Sequence, residues 1–523
     1  MNDGLLAFLA LTLTAQLVGV GALIWTIWRR QTDWTKSGAA EIFAAGEVGH
    51  PEAPAARGGI PGPLVDDELI ARSEADRSSA PAVLAFVKSA VFWLVFGSIA
   101  GLLASLQMTF PDWITKWAPL TFGRLRPIHL NTVIYGWTSM VGVGISLWLL
   151  PRLLKTPLRG ATYARRGAWL WNFGMVLGVG SLFLGKTDGL EWLEYPWMVD
   201  LIFVAAGAVV AIPLFLTPAK RRCKHLYVSV LYITGAFVWF PLLFFIANIP
   251  GIHFGVEHGI ANWWFAHNVL GLWLTPLGLA AAYYLIPKVL GRPVYSYGLS
   301  MLGFWSLALF YSQVGVHHLI GGPVPTWVVN LSIVTSVMMI LPVVSVAINH
   351  HLTVWKEGGL SKLKTSPTLR FVVLGAMLYT VTSFEGSMQA VRAVNQVTHF
   401  THATVAHAHL GVYGFVTMVM FGALYFAMPR LLGREWPKPA LIGWHFWLAA
   451  LGIGVYFVGL TIGGVLQGYE MLDASTPFSD IVKHSLPYLH SRSIGGGMMV
   501  TAHLIFATHV WLMLRGTKKG GAA

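Results

Sequence analysis

An all-α polytopic membrane protein is predicted by three features: an apolar composition, apolar runs of spanning length, and bases concentrated in alternate loops. Of 523 residues, 55% are hydrophobic and only 11% are charged. A soluble protein carries roughly 25% charged residues. Mean hydropathy is +0.63. These values exclude a disordered chain, a coiled coil and an ordinary cytosolic enzyme. Cys223 is the only cysteine, which excludes a disulfide scaffold, a CxxCH haem attachment, a thiolate cluster for iron–sulfur and a paired-cysteine copper site. The net charge of +13 does not point to nucleic acid here. In so apolar a chain, basic residues favour loops that face the cytoplasm and anionic lipid.

A spanning helix needs roughly 20 apolar residues, and about thirteen spans follow from that rule. The first, residues 1–28 with its apolar run near 4–28, lacks a basic n-region and a small-residue cleavage site, so it reads as a retained transmembrane helix. Residues 29–83 are rich in Ala, Gly, Pro and acids, as in Pro51-Glu52-Ala53-Pro54, and read as a cytoplasmic linker. The core, 84–523, holds twelve more spans: near 84–107, 127–151, 167–185, 196–217, 225–249, 263–287, 297–320, 325–351, 370–390, 403–429, 440–466 and 493–514. Bases mark every second loop, from Arg29/Arg30 through Arg165/Arg166, Lys220/Arg221/Arg222, Lys288/Arg292, Lys362/Lys364 and Arg430/Arg434 to Arg515/Lys518. The intervening loops are poor in bases or acidic, with Asp188, Glu191 and Glu194 in one and Glu470, Asp473 and Asp480 in another. Positive-inside logic therefore puts the N-terminus outside and the C-terminus in the cytoplasm. One miscounted helix would invert the pattern downstream.

Ionisable residues within spans are functional candidates by default, and histidine is the commonest metal ligand. His129, His267, His317, His318, His407 and His409 come from four spans and, with this orientation, all fall in the outer half of the bilayer. His407 and His409 stand about 200° apart around a helix, so they serve two centres on opposite faces. His317 and His318 converge on one ion if His267 supplies a third imidazole, a donor set that suits copper, zinc or iron. His129 pairs with one of His407 and His409 as two axial ligands of a haem. The other becomes the single axial ligand of a second haem that faces the three-histidine metal.

The segments Gly123-Arg-Leu-Arg-Pro-Ile-His129, Trp263-Trp-Phe-Ala-His267-Asn268, Tyr311-Ser-Gln-Val-Gly-Val-His317-His318, Phe384-Glu385-Gly386 and His407-Ala-His409 resemble the haem–copper oxidase superfamily. Within it they are similar to the C-family, the cbb3-type cytochrome c oxidases, over about Phe110 to Gly496. The resemblance implies a twelve-helix haem–copper oxidase core, here with one extra N-terminal transmembrane helix. It implies His129 and His409 as ligands of low-spin haem b, His407 as the ligand of high-spin haem b3, and His267, His317 and His318 as ligands of copper B. It also implies a catalytic tyrosine. The mitochondrial-like oxidases carry theirs one turn after the first copper histidine, where this chain has Gly271. C-family enzymes carry it six residues before the histidine pair, where Tyr311 stands, about 9 Å deeper along an α-helix. Four-electron cleavage of O2 gives a phenol beside the copper a use as a source of a proton and an electron.

Glu385 resembles the family's acidic residue near the proximal histidine, where a carboxylate orients the imidazole and raises its basicity. Arg126 and Arg492 sit at the outer face, where haem propionates would lie; Arg492 reads more as an interfacial anchor. Tyr283, Tyr295, Ser296, Tyr297 and Ser300 lie on the cytoplasmic stretch below Tyr311 and suit a proton path, although hydroxyls in membrane helices bond backbone carbonyls as often. The stretch Leu319–Trp327 and the N-terminal helix depart from the family pattern without touching a ligand.

The resulting expectation is a terminal respiratory oxidase in the bacterial cytoplasmic (inner) membrane. It reduces O2 to water with electrons from cytochrome c, takes up protons and translocates some of them. With no electron-entry site of its own, it requires membrane-anchored c-type cytochrome subunits. The alternative within the same fold is a nitric oxide reductase with non-haem iron in place of copper. That chemistry usually brings glutamates to the iron, and Gly271 occupies a favoured place for one. A secondary transporter, with midplane carboxylates and broken helices, does not account for histidines gathered at one depth.

Overall fold

The computed structural model describes residues 66–515 apart from 224–225, 249–250 and 357, together with a two-residue antiparallel pairing of Ala56–Arg57 with Ile60–Pro61. The expected N-terminal helix 1–28 and most of the linker lie outside the described residues. Twelve long helices follow one another. They are α1 (Asp66–Thr109), α2 (Phe122–Leu153), α3 (Ala161–Phe183), α4 (Trp197–Leu216), α5 (Val228–Ala247) and α6 (Gly255–Leu290). Then come α7 (Tyr297–Leu319), α8 (Thr326–Trp355), α9 (Pro367–Gln389), α10 (His402–Leu432), α11 (Ala440–Leu472) and α12 (Phe478–Arg515). Eleven of the described helices are long and apolar enough to cross a membrane. The exception is α3, diluted by Arg166, Asn172, two tryptophans and four glycines. Asn172 is nonetheless satisfied: its amide donates to Ser89 Oγ at 2.9 Å, and its oxygen accepts from Trp93 Nε1 at 3.0 Å, both on α1.

The first core helix begins at Asp66, well before the expected span start at 84, so the end of the expected linker is helical. Its reason is an ion pair. Asp76 accepts from Arg152 at the end of α2 (2.6 and 2.5 Å) and from Trp148 Nε1 (2.8 Å), while Ala71, Ala75 and Ser79 are buried. The aromatic core is satisfied in the same manner. Among the fully buried tryptophans, Trp137 donates to Thr417 Oγ1 (3.0 Å), Trp171 to the Tyr135 carbonyl (2.9 Å) and Trp273 to Ser139 Oγ (2.8 Å). Buried indoles of this kind bring large apolar area with one polar atom to satisfy. Where α11 and α12 cross, a Cβ on Gly495 would lie 2.6 Å from the Gly452 carbonyl. Only small residues let membrane helices approach so closely.

Three helices widen into π-helical turns, and each does so directly after a candidate ligand. Thr132–Ser139 follows His129, Val269–Leu274 follows His267, and Leu410–Thr417 follows His409. The seventh helix departs in the opposite sense. It is α-helical only from Tyr297 to Phe310, and Tyr311–Gln313 and Gly315–Leu319 are tighter 3-10 turns. Tyr311 and the histidine pair therefore do not share a straight α-helix, and the separation expected from an α-helical rise does not apply to them.

Candidate haem and metal centre

His267 at the end of the α-helical part of α6 meets His317 and His318 on the 3-10 turn of α7. Ring centroids lie 5.0 Å apart for His267–His317, 5.3 Å for His267–His318 and 4.4 Å for His317–His318. One nitrogen from each falls within 4.8 Å of the others. His317 is held by α8, its backbone N–H donating to Ser332 Oγ (2.8 Å) and its Nδ1 lying 2.9 Å from Ser336 Oγ. The His318 ring stacks on Trp263 at 4.3 Å. His267 Nδ1 is buried without a hydrogen-bond partner. Three convergent imidazoles, one with a bare ring nitrogen, fit a bound copper, zinc or iron ion.

Tyr311 lies against this cluster, its ring 5.2 Å from that of His267. The ring occupies the place where a side chain at position 271 would stand. A Cβ on Gly271 would come 1.7 Å from Tyr311 ring carbons. The glycine one turn after the first histidine is thus the counterpart of the tyrosine on the next helix.

His129 and His409 face each other from α2 and α10 with ring centroids 6.1 Å apart and planes inclined by only 14°. His129 Nδ1 is 2.8 Å from the Gly97 carbonyl, and His409 Nδ1 is 2.9 Å from the Val405 carbonyl. His129 therefore keeps Nε2 for another partner, whereas His409 Nε2 already has a hydroxyl beside it. Two near-parallel imidazoles at this separation, each with its Nδ1 near a backbone carbonyl, fit a pair of ligands to one haem iron. Gly101 leaves His129 its space, since a Cβ there would lie 2.5 Å from Nδ1. Tyr456 Oη stands 3.2 Å from His409 Nε2.

His407 points the other way, as its two-residue offset from His409 requires. Its Nδ1 lies 3.3 Å from Glu385 Oε2 and 3.4 Å from Thr382 Oγ1, both on α9. Gly386 clears the opposite edge: a Cβ there would meet Cε1 at 3.0 Å and Nε2 at 3.3 Å. The ring thus faces a cavity of about 470 Å³, whose wall also carries His267, His317, His318 and Tyr311. A second cavity of about 120 Å³ runs along His129, His409 and Tyr413.

Above the histidines, Arg126 Nη2 pairs with Glu191 Oε1 at 2.9 Å, and both line the larger cavity. Arg492 lines both cavities, touches Met108 Sδ, and has a buried Nε without a partner. It is no mere anchor at the interface. Nearby, Asn131 donates to Glu194 Oε2 at 2.7 Å. Burial, with the charge of Glu191 added, pushes the Glu194 carboxyl up to about 7 against the pull of that hydrogen bond.

Tyr283, Tyr297 and Ser300 are not brought together as one path. Tyr283 is buried, accepts from Asn349 Nδ2 at 3.4 Å and packs edge-on against His350 at 4.4 Å. Tyr297 is exposed and donates to the Leu226 carbonyl, and Ser300 donates to the Tyr297 carbonyl of its own helix at 2.6 Å. Tyr295 is likewise exposed, beneath Lys356, and Ser296 Oγ accepts from Leu299 N as a helix cap. Asn349 and His350, a polar pair inside an apolar span, were the signal that sequence reasoning passed over. Buried histidines also occur away from this cluster. His445, His503 and His509 sit among α10, α11 and α12, with His503 between Ser98 Oγ (2.7 Å) and Tyr413 Oη (3.1 Å).

Known proteins resemble this chain over most of its length. Residues 81–498 match the family described as cytochrome c and quinol oxidase polypeptide I. The chain is 33% identical over 452 residues to the cbb3-type cytochrome c oxidase subunit CcoN1 of Stutzerimonas stutzeri, covering 83% of this chain and 94% of that one. It is 32% identical over 452 residues to a cytochrome c oxidase subunit 1 homolog of Agrobacterium tumefaciens, covering 83% of each. In architecture it is similar to a haem–copper terminal oxidase dimer solved by electron cryomicroscopy, with a TM-score of 0.73 and 17% identity over 85% of both chains. Matched over most of its length, the chain belongs to the cytochrome c and quinol oxidase polypeptide I family and is a haem–copper oxidase subunit I.

Proposed function

We propose that this cytochrome c oxidase reduces O2 to water at a haem b3–copper B pair, fed through low-spin haem b, with proton uptake from the cytoplasm and translocation of part of those protons. The observation that carries the reading is the three-histidine cluster and His407 on the wall of one cavity, with Tyr311 packed against His267. His129 and His409 would hold haem b, His407 would hold haem b3, and His267, His317 and His318 would hold copper B. When bound, these groups supply the electron store and the metal pair that four-electron reduction of O2 needs. The chain's own residues prepare the site. Glu385, at 3.3 Å, accepts from His407 Nδ1 and so orients that ring. Tyr311 holds a proton on Oη beside the cluster, and Arg126 and Arg492 offer guanidinium forks to propionate carboxylates. Trp263, stacked on His318, shields the cluster.

Tyr283, with Asn349 and His350, supports a route for protons from the cytoplasmic side; Tyr297 and Ser300 would serve only its entrance. The basic loops support a bacterial inner-membrane location with the N-terminus periplasmic and the C-terminus cytoplasmic. Electrons would come from cytochrome c through membrane-anchored c-type cytochrome subunits, as suits a chain with one cysteine. The test is spectroscopic. His129→Ala and His409→Ala should each abolish the low-spin haem signal, whereas His407→Ala should spare it and abolish CO binding. If the effects of 407 and 409 are exchanged, the haem assignments are inverted.

A further inference from the structure

The hydroxyls on α8 carry hydrogen-bond directions that single out one member of the metal cluster. Ser336 Oγ has one hydrogen and lies 2.6 Å from the Ser332 carbonyl one turn back, to which it donates. It can then only accept from His317 Nδ1, 2.9 Å away. Ser332 repeats the arrangement, donating to the Val314 carbonyl at 2.5 Å and accepting the His317 backbone N–H at 2.8 Å. Both the ring and the backbone of His317 are thus gripped from the same helix face, at positions i and i+4. His267 has no such grip, for its Nδ1 is buried without a partner. Ser387 Oγ extends the lattice, donating to the Ser336 carbonyl at 2.9 Å from α9. Two residues earlier on α9, Glu385 meets His407.

We propose that Ser336 and Ser332 are positioning residues that fix His317 as the Nδ1–H tautomer, leaving the Nε2 lone pair for the metal. Ser387 ties that ligand to the segment that orients His407. His317 becomes the pre-set member of the cluster, and His267 and His318 complete the site around it. The inference rests on the reading of this cluster as the copper site. Partners of metal-bound histidines typically matter by 10–100-fold in metal affinity.

The experiment uses the whole oxidase, purified with its partner subunits, and measures copper per haem before and after challenge with a Cu(I) chelator. Ser336→Thr keeps the hydroxyl, whereas Ser336→Val has nearly the same shape without it, and Ser336→Ala controls for added bulk. Ser336→Val and Ser336→Ala should lose copper about 10–100-fold more readily than wild type, Ser336→Thr should retain it, and all three should keep both haem signals. Copper retained in Ser336→Val and Ser336→Ala but lost in His317→Ala overturns the positioning role alone. Equal loss in Ser336→Thr and Ser336→Val also overturns it, since shape rather than the hydroxyl would then decide. A wild-type preparation with no copper overturns the copper reading on which the inference stands.

Discussion

Tyr311 and Gly271 are two halves of one residue-scale arrangement. The tyrosine ring fills the volume that any side chain at 271 would need, the nearest ring carbons lying 1.7 Å from an added Cβ. Tyr311→Phe removes one hydroxyl and keeps the ring's volume, a class of core change that usually costs under about 1.5 kcal/mol. It should nearly abolish O2 turnover while haem and metal content stay at wild-type levels, and peptide mapping of the wild type should show the segments of His267 and Tyr311 cross-linked. Full oxidase activity in this variant would remove the tyrosine from the chemistry. Gly271→Ala should displace the same ring and lower turnover while leaving the Tyr311 hydroxyl chemically intact. At this scale much was legible. The two-residue offset of His407 and His409 places them about 200° apart around the helix; His407 meets Glu385 on one side and His409 stacks near His129 on the other, although both line the larger cavity. What was illegible was direction: nothing in the string shows that Ser336 is committed to the Ser332 carbonyl or that Arg492 turns inward.

At the scale of elements, helices change pitch where the candidate ligands sit. A π-helical turn follows each of His129, His267 and His409, and a 3-10 turn carries His317 and His318. Such departures are uncommon and gather at functional sites; they shift side chains off the ordinary helical register. Hydrophobic periodicity carries no mark of one inserted residue in a turn, which is why the spans were legible and their pitch was not. The early start of α1 was missed for a related reason, since acids and Ser near Asp76 resemble a linker until Arg152 is placed beside them. That pair is buried on the arginine side, with 2% of the Arg152 side chain and 17% of the Asp76 side chain accessible. Asp76→Asn leaves the arginine's charge without its carboxylate and should destabilise the α1–α2 contact by on the order of 3 kcal/mol. Thermal inactivation of the purified oxidase measures this; a midpoint equal to wild type would mean that α1 is held without help from this ion pair.

The described residues form a twelve-helix bundle that brings four histidine-bearing helices around adjoining cavities. Composition and span length made the bundle legible, and the shared depth of six histidines pointed to the site. Yet buried histidines also occur away from it, as His445, His503 and His509 show. Depth alone was therefore a weaker argument than the way His267, His317 and His318 converge to within 4.8 Å. On the proposed reading this convergence would hold copper opposite a five-coordinate haem, and a second haem would lie between His129 and His409. The most direct measurement is metal analysis of the purified oxidase combined with its reduced and CO-bound optical spectra, normalised to this chain. One copper and two protohaems are expected in this subunit, one six-coordinate and blind to CO, the other five-coordinate and binding it. A third, non-haem iron with no copper would contradict this reading in favour of nitric oxide reduction, and a haem-free chain would contradict it altogether.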